Sequence, residues 1–241
     1  MDVKIILNSL WVLVASVLVF IMHAGFATVE VGFTQAKNAV NIFMKNFLTV
    51  AAGVLCFFAI GYGLMYGESF LGIIGTNLFM LEGRPDTVSG IFFESYFIFQ
   101  AVFCATAATI VSGAMAERTK FASYVFFCVI LTAFIYPLTG HWIWGGGFLS
   151  QWGFADFAGG MAVHGIGGFA AFIGAIMVGP RSGKYRDDKI NAIPGHNIPL
   201  AGLGVLLLWF GWFGFNSGST LDITSPVTFH SAVTTLLADS R

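Results

Sequence analysis

Charge is scarce in this sequence. Asp, Glu, Lys and Arg make up only 10% of its 241 residues, whereas hydrophobic residues make up 57%. So few charged side chains cannot solvate the surface of a water-soluble domain with this much apolar mass. The formal net charge of -1 also gives no basic field, which argues against nucleic acid as a partner. We therefore expect a protein that sits in the lipid bilayer.

Cysteines and catalytic groupings are scarce as well. The three cysteines, Cys56, Cys104 and Cys128, lie within apolar runs and show no metal-binding spacing, so we expect buried thiols. The polar loops hold no nucleophile paired with a general base. We therefore expect a protein that is not an enzyme and that carries no metal or cofactor.

Long apolar runs are what the sequence has in abundance. A helix needs roughly 20 residues to cross ~30 Å of hydrocarbon, and six runs of about this length are present. The first run greatly exceeds the ~7–15 apolar residues of a signal peptide, so we interpret it as a retained span. The six runs cover residues 5–31, 47–66, 88–116, 121–138, 157–178 and 198–215.

A seventh apolar stretch, 227–238, is too short to cross. Its 12 residues reach only about 18 Å at the rise of an α-helix. The stretch is either re-entrant or truncated, and we favour truncation because its end would otherwise be left inside the membrane. The predicted fold class is all-α, a polytopic helical membrane protein with six full spans and an incomplete seventh.

Lys and Arg are concentrated in alternate loops. If the N-terminus is outside, eight of them fall in inner loops and only Arg84 falls in an outer loop. Short cytoplasmic loops carry such an excess, so we predict a multi-pass protein of the cell inner membrane with its N-terminus outside. The eight inner residues are Lys37, Lys45, Arg118, Lys120, Arg181, Lys184, Arg186 and Lys189.

Two ionisable residues stand out near the outer end of the run 157–178. His164 lies seven residues into the run, about 10 Å deep, where an ionisable group is costly. It is either a pore or proton-relay residue, since imidazole can donate and accept, or a histidine bonded to a neighbouring helix. Asp156 can cap the N-terminus of this helix. Its charge can also stabilise a cation above a pore.

The remaining polar and aromatic residues near the span ends have ordinary explanations. Tryptophans at these depths are membrane anchors by default, although one indole could face a cation instead. Snorkelling or hydrogen bonding between helices accounts for His23, Glu30 and Glu94, to which we assign no chemistry.

Several sequence segments follow one another in an order and at a spacing that is more specific than any single motif. They are HAGFATVEVGFTQAKNAVNIFMKN at 23–46, FQAVFCATAATIVSGAMAER at 99–118, HWIWGGG at 141–147, DFAGGMAVHGIGG at 156–168, HNIPLAGLG at 196–204 and GWFGFNSGS at 211–219. Together they resemble the ammonium transporter family, the Amt, Mep and Rh proteins, over nearly the whole chain.

The resemblance implies roles for the residues that match the motifs. Trp144, Phe103 and Ser219 would form an outer site that recruits ammonium, and Asp156 would support that site from behind. Phe103 and Phe215 would form a gate of stacked phenyl rings. The substrate-binding residues implied are therefore Trp144, Phe103, Ser219 and Asp156.

His164 would be the first of two pore histidines. An apolar lumen imposes a large desolvation cost on any ion that keeps its charge, so ammonium would shed its proton and cross as ammonia. Potassium resembles ammonium in size and charge, but it has no proton to lose and cannot cross as a neutral molecule. The histidine pair would accept ammonia by hydrogen bonding and, in one family mechanism, pass the proton separately.

The family fold has about eleven spans in two inverted halves. Residues 1–241 would therefore be one incomplete membrane domain, with the first repeat at about 5–178 and the start of the second at about 198–241. The second pore histidine would lie in the absent part, because His196 is in an inner loop and His230 is on the outer side.

Transport of ammonium or ammonia is the leading functional hypothesis. The alternative is an ammonium sensor whose membrane domain is coupled to an output domain beyond Arg241. A structural membrane protein, in which Trp144, His164 and Ser219 only pack, has little support, and an enzyme has less. The resemblance further implies a homotrimer and a PII-type regulator at the inner face.

Overall fold

The computed structural model describes residues 2–186 and 188–239. Long helices dominate this part of the chain, and three short hairpins lie between them. The α-helices are α1 Val3–Phe33, α2 Ala39–Cys56, α3 Tyr62–Tyr66, α4 Phe93–Met115, α5 Phe121–Ile130, α6 Tyr136–Ile143, α7 Phe148–Gln151, α8 Ile166–Val178, α9 Ile198–Gly218 and α10 Pro226–Asp239.

Several of these helices join end to end through π-helical turns. Phe57–Gly61 connects α2 to α3, Leu131–Ile135 connects α5 to α6, and Gly160–Gly165 leads into α8. Short 3-10 turns lie at Ala36–Asn38 and Phe79–Leu81. The antiparallel hairpins pair β1 Ser69–Phe70 with β2 Ile74–Gly75, β3 Thr87–Val88 with β4 Ile91–Phe92, and β5 Tyr185–Arg186 with β6 Lys189–Ile190.

Six helical stretches within the described residues are long and apolar enough to cross a membrane, which confirms the predicted helical membrane fold. They are Val3–Phe33, Ala36–Tyr66, Phe93–Met115, Phe121–Gln151, Gly160–Val178 and Ile198–Gly218. The span Phe93–Met115 is the most enclosed of the six, because 72% of the residues in its 18-residue apolar stretch are buried. It packs against α1, α2 and α8, and so forms the centre of the bundle.

Two predicted boundaries are wrong. The run from residue 88 begins too early, because Val88 lies in the hairpin strand β3 and the helix starts only at Phe93. The run from residue 47 begins too late, because the helical span already starts at Ala36. Beyond the predicted run 121–138, α6 continues to Ile143 and the short helix α7 follows.

Lys45 is not in an inner loop, as the charge pattern predicted. It lies within α2 and is only 1% exposed. Its Nζ lies 3.6 Å from Oε1 of Glu30 in α1 and 4.6 Å from the ring centroid of Tyr124. The sequence placed Lys45 in a loop because a charge that is neutralised inside the bundle interrupts an apolar run as a loop charge does. Without Lys45, the set of basic residues predicted to lie in inner loops has seven members instead of eight.

Helices α1 and α9 pack along their length at very close range. A Cβ built at Gly32 would lie 2.6 Å from the backbone nitrogen of Ala201, and one at Gly214 would lie 2.6 Å from the carbonyl oxygen of Ala15. Larger side chains at these two positions would force the helices apart, which is the usual reason for small residues between membrane helices.

The seventh apolar stretch forms α10, which has 14 residues. It is shorter than a span needs to be, and the amide of Asn216 bonds it to α9 through the hydroxyl of Thr235 at 3.0 Å. Arg241, beyond which the sensor hypothesis places an output domain, lies outside the described residues.

Candidate functional site: an aromatic barrier beside a cavity

Two phenyl rings lie face to face in the middle of the bundle. The ring centroids of Phe103, on α4, and Phe215, on α9, are 4.0 Å apart with an angle of 14° between their planes. Each residue is only 1% exposed. Stacked rings at this distance leave no space between them, so together they form an apolar barrier.

A cavity of about 310 Å³ lies against one side of this barrier. Phe103 is part of its wall, and the Trp144 ring stands 6.2 Å from the Phe103 ring at an angle of 57°. Ser219 lines the cavity at the C-terminal end of α9, where its hydroxyl donates to the carbonyl oxygen of Phe215 at 2.8 Å. The cavity therefore brings together the three residues of the implied recruitment site. Its lining is Tyr66, Tyr96, Phe99, Gln100, Phe103, Trp144, Asp156, Phe157, Ser219 and Leu221.

Two sets of contacts hold Trp144 in place: the hydrogen bond of its own indole and the hydrogen bonds of His141 near the end of α6. Its Nε1 donates to the carbonyl oxygen of Asp156 at 2.7 Å. One turn earlier, His141 is fully buried, with Nδ1 2.8 Å from the carbonyl oxygen of Met65 and Nε2 2.8 Å from the hydroxyl of Ser69. The indole is thus fixed by its own hydrogen bond, and the buried His141 anchors the end of α6 next to Trp144.

The Asp156 carboxylate is fully used as a helix cap. Its Oδ1 accepts from the N–H groups of Gly159 and Gly160 at 2.8 and 2.9 Å. Its Oδ2 accepts from those of Met161 and Ala162 at 2.9 and 2.8 Å. The capping role expected from the sequence is therefore present, and it holds the start of the π-helical turn that carries His164. The charge of the carboxylate still acts on the cavity, which Asp156 also lines.

His164 lies beside the aromatic barrier. Its ring centroid is 5.3 Å from that of Phe215 and 6.3 Å from that of Trp212. Among the described residues, no hydrogen-bond partner reaches its ring nitrogens. The helical segment starts at Gly160, which places His164 about 6 Å into it, shallower than the predicted 10 Å.

Sequence reasoning missed three further polar residues in the wall of the cavity. Gln100 and Tyr96 on α4 and Tyr66 on α3 line it. A signal for Gln100 existed, since an amide within a long apolar run is costly in a membrane. No comparable signal marked the two tyrosines, because tyrosine is common at span ends.

The geometry defines a polytopic helical membrane protein with a cavity lined by aromatic and polar side chains next to a closed aromatic barrier. The family described as Ammonium Transporter Family matches residues 10–240. The chain belongs to this ammonium transporter family.

The curated relatives carry the same family name. Ammonium transporter Amt2 of Archaeoglobus fulgidus is 49% identical over 226 residues, which are 89% of this chain and 48% of the relative. The putative ammonium transporter sll1017 of Synechocystis is 44% identical over 234 residues, which are 96% of this chain and 53% of the relative. The chain thus spans about half the length of these relatives.

Solved structures resemble the chain closely. A structure titled "Sensor Amt Protein" superposes with a TM-score of 0.93 at 44% sequence identity. The match covers 98% of this chain and 60% of the chain in that structure. The crystal structure of Candida albicans Mep2 superposes with a TM-score of 0.86 at 31% sequence identity. The match covers 96% of this chain and 52% of the Mep2 chain. Both similarities extend over nearly all of the chain.

Proposed function

We propose that the protein to which this chain belongs moves ammonium or ammonia across a membrane through an apolar pore. The observation that carries the proposal is the stacked pair Phe103 and Phe215 between the outer cavity and His164. The names of the curated relatives, all ammonium transporters, support the same activity.

In this proposal the outer cavity recruits the cation. The faces of Trp144 and Phe103 attract it through cation–π contacts worth about 0.5–2 kcal/mol when desolvated. Ser219 presents its hydroxyl oxygen to the cavity, since its proton is already donated to Phe215. The Asp156 carboxylate acts through its field, because backbone N–H groups occupy both of its oxygens.

The barrier then separates ammonium from ions that cannot lose a proton. A charged ion that enters the space between two phenyl rings loses its hydration without compensation. Ammonia is neutral and can pass when the rings turn. On the far side His164 offers a ring nitrogen without a partner among the described residues, which ammonia or a transferred proton could engage.

A relay of this kind needs a second histidine beside His164. Neither His196, before α9, nor His230, on α10, lies where it could take this role. His196 lies at the opposite end of α9 from Phe215, with Nδ1 2.8 Å from the carbonyl oxygen of Thr34. His230 is exposed on α10. We propose that the partner of His164 comes from the half of the family fold that this chain does not span, and that residues 5–178 and 198–241 belong to different repeats.

Uptake of methylammonium tests the proposal. The protein, expressed from its complete reading frame and reconstituted in liposomes, should take up radiolabelled methylammonium, and Trp144→Leu should reduce uptake at low concentration several-fold. Trp152→Leu is the matched control, because Trp152 is 79% exposed and does not line the cavity. Absence of uptake by the wild-type protein, with intact ammonium binding, would refute transport.

That same outcome would favour a second candidate, an ammonium sensor. The similarity to the structure titled "Sensor Amt Protein" supports it, and recruitment at the outer cavity serves sensing as well as transport. A cytoplasmic output domain in the complete reading frame, with activity that responds to ammonium, would decide for the sensor.

We also propose that the protein lies in the cell inner membrane with its N-terminus outside. Seven basic residues in alternate loops against Arg84 support this orientation. Family membership supports a homotrimer and a PII-type regulator at the inner face. Cysteine labelling from each side of the membrane and mass measurement in mild detergent test the orientation and the trimer.

A further inference from the structure

A second cavity, of about 350 Å³, lies at the opposite end of α4 from the outer cavity. The last turns of α1 and α4 line it, together with Glu117, Arg118 and Arg181, which follow the ends of α4 and α8. Thr109, in its wall, is six residues beyond Phe103, about 9 Å along α4. This second cavity, the inner cavity, therefore begins less than two helical turns beyond the aromatic barrier.

The segment that carries His164 leads to the inner cavity. Gly167, three residues after His164, packs closely against α4, because a Cβ built on it would lie 2.9 Å from the carbonyl oxygen of Ala107 and 3.0 Å from Cβ of Ile110. Ile110 is itself part of the wall of the inner cavity. Less than one helical turn therefore separates His164 from the point where its helix meets that wall.

An ionisable residue of the first span also stands in this wall. Glu30 lies one turn before the end of α1 and is only 7% exposed. Ionisable side chains inside membrane spans are costly, and they commonly mark the pathways of ions or protons. The sequence alone left Glu30 without a chemical role, but its place in the wall of a cavity beyond the barrier makes it a candidate for proton exchange.

The Glu30 carboxylate is charge-compensated, yet it has room for another donor. Its Oε1 accepts from the Ser112 hydroxyl and its Oε2 from the Asn46 amide, both at 2.9 Å. The Lys45 Nζ stands 3.6 Å from Oε1, which is beyond hydrogen-bond distance. An ionised carboxylate offers about four lone-pair sites. Two hydrogen bonds therefore leave capacity for an N–H or O–H donor.

The other charged groups in the wall are fully engaged. Glu117 accepts from three donors at 2.7–2.8 Å, one of which is the guanidinium of Arg181. The Arg118 guanidinium donates to backbone carbonyl oxygens at the ends of α4 and α8. Among the described residues of the wall, Glu30 is therefore the carboxylate with capacity left to exchange a proton.

We propose that Glu30 exchanges a proton with ammonium or ammonia in the inner cavity. With ammonium, an N–H bond breaks as an O–H bond forms on the carboxylate; the electron pair stays on nitrogen, and ammonia and a neutral carboxyl group result. Import runs this step in reverse, and the carboxylate then regains the proton that ammonium released at the barrier and that His164 passes on. This inference rests on the proposed function and adds an inner acid to its relay.

Uptake of radiolabelled methylammonium by liposomes that hold the full-length protein tests this inference. The double variant Glu30→Gln with Lys45→Met removes the exchangeable proton and leaves no buried charge without a partner. Its uptake should fall by at least about 10²-fold, the lower range for loss of proton transfer at a positioned acid. Glu30→Asp, which keeps an exchangeable carboxyl group beside Lys45, should retain most of the uptake.

Glu117→Gln is the matched control. It removes the other carboxylate in the described wall of the inner cavity, and at neutral pH it should leave uptake unchanged, because Glu117 is held by its three donors and exchanges no proton with the substrate. The melting temperature of each variant in detergent shows whether it is folded.

A measurement on the wild-type protein covers the case in which the double variant does not fold. Dicyclohexylcarbodiimide is an apolar reagent that modifies protonated carboxyl groups within membranes. Mass spectrometry of peptides from the treated protein should find the adduct on Glu30, and the treatment should slow uptake. Treated protein that carries adducts on other carboxyl groups and none on Glu30 would overturn the inference.

The outcomes separate this inference from the function on which it rests. If the wild-type protein takes up no methylammonium, the proposed function fails and this inference fails with it. If the wild-type protein transports and the folded double variant transports equally fast, only this inference is overturned. Equal losses in Glu30→Asp and in the double variant would also overturn it, because Glu30 would then act through its fit in the bundle.

Discussion

Glu30 and Lys45 form an ion pair between α1 and α2, with 3.6 Å between Oε1 and Nζ. Oε1 of Glu30 also accepts from the Ser112 hydroxyl, and Oε2 accepts from the amide of Asn46, both at 2.9 Å. Every charge in this group is therefore compensated, and three spans meet at one carboxylate.

Removal of one charge from this pair should destabilise the protein strongly. Glu30→Gln leaves the Lys45 ammonium buried without a counter-charge, which costs about 3–5 kcal/mol. The double variant Glu30→Gln with Lys45→Met should lose less, because no charge then remains to be compensated. Thermal denaturation in detergent measures both losses. A double variant less stable than the single variant would show that the pair matters for packing more than for charge.

Replacement of Asp156 should separate its capping role from its charge. Asp156→Ala removes the acceptor of four N–H groups and should lower stability by about 0.5–2 kcal/mol. Asp156→Asn keeps one acceptor oxygen and should lose less stability, yet its lost charge should still reduce methylammonium uptake. Melting temperature and uptake measured on the same preparations test both statements. Normal uptake by Asp156→Asn would leave capping as the sole role.

His164→Phe should abolish transport while the protein stays folded. Phenylalanine can keep the ring contacts with Phe215 and Trp212, but it can neither accept nor donate a proton. Uptake should therefore fall by about 10²-fold, the lower range for loss of proton-transfer catalysis, with a melting temperature near that of the wild type. A large drop in melting temperature would instead support a structural histidine.

Glu117 should make stability depend on acid pH. Burial raises the pKa of its carboxyl group, but hydrogen bonds from Arg181, the Gln35 N–H and the Asn38 amide outweigh burial and leave the pKa below its ordinary value of 4.5. A carboxylate with a lowered folded-state pKa stabilises the protein fully above its ordinary pKa, and this contribution is lost as the pH falls through the folded-state pKa.

The variant Glu117→Gln tests this dependence. The difference in melting temperature between wild type and Glu117→Gln should be largest near neutral pH and should shrink as the pH falls below 4.5. The substitution changes only this carboxyl group, so the pH dependence of the difference reports on Glu117. A difference that does not vary with pH would contradict the expectation.

Hydropathy was sufficient to predict the six spans because a helix in lipid must satisfy its own backbone and expose apolar side chains. It failed at Val88, where apolar residues form a hairpin outside the helix, and at Lys45, whose charge is neutralised by Glu30. Charge compensation depends on contacts between helices, and such contacts cannot be inferred from one span at a time.

The candidate site could be predicted in part. The resemblance named Trp144, Phe103 and Ser219, and the structure brings them to one cavity. Capping by Asp156 followed from its position before a helix. The lining residues Tyr66 and Tyr96 could not be predicted, because which side chains share one cavity depends on how the helices that carry them pack.

The close packing of α1 and α9 limits how the aromatic barrier can open. Gly214, immediately before Phe215, lies against the backbone of Ala15, and Gly32 lies against Ala201 near the other end of α9. A helix fixed at both ends cannot carry Phe215 aside by sliding or tilting. We therefore expect the passage to open by rotation of phenyl rings about their side-chain bonds. Such a valve needs no rearrangement of the bundle, so its opening rate is set by ring motion within the core and not by the slower collective motion of helices.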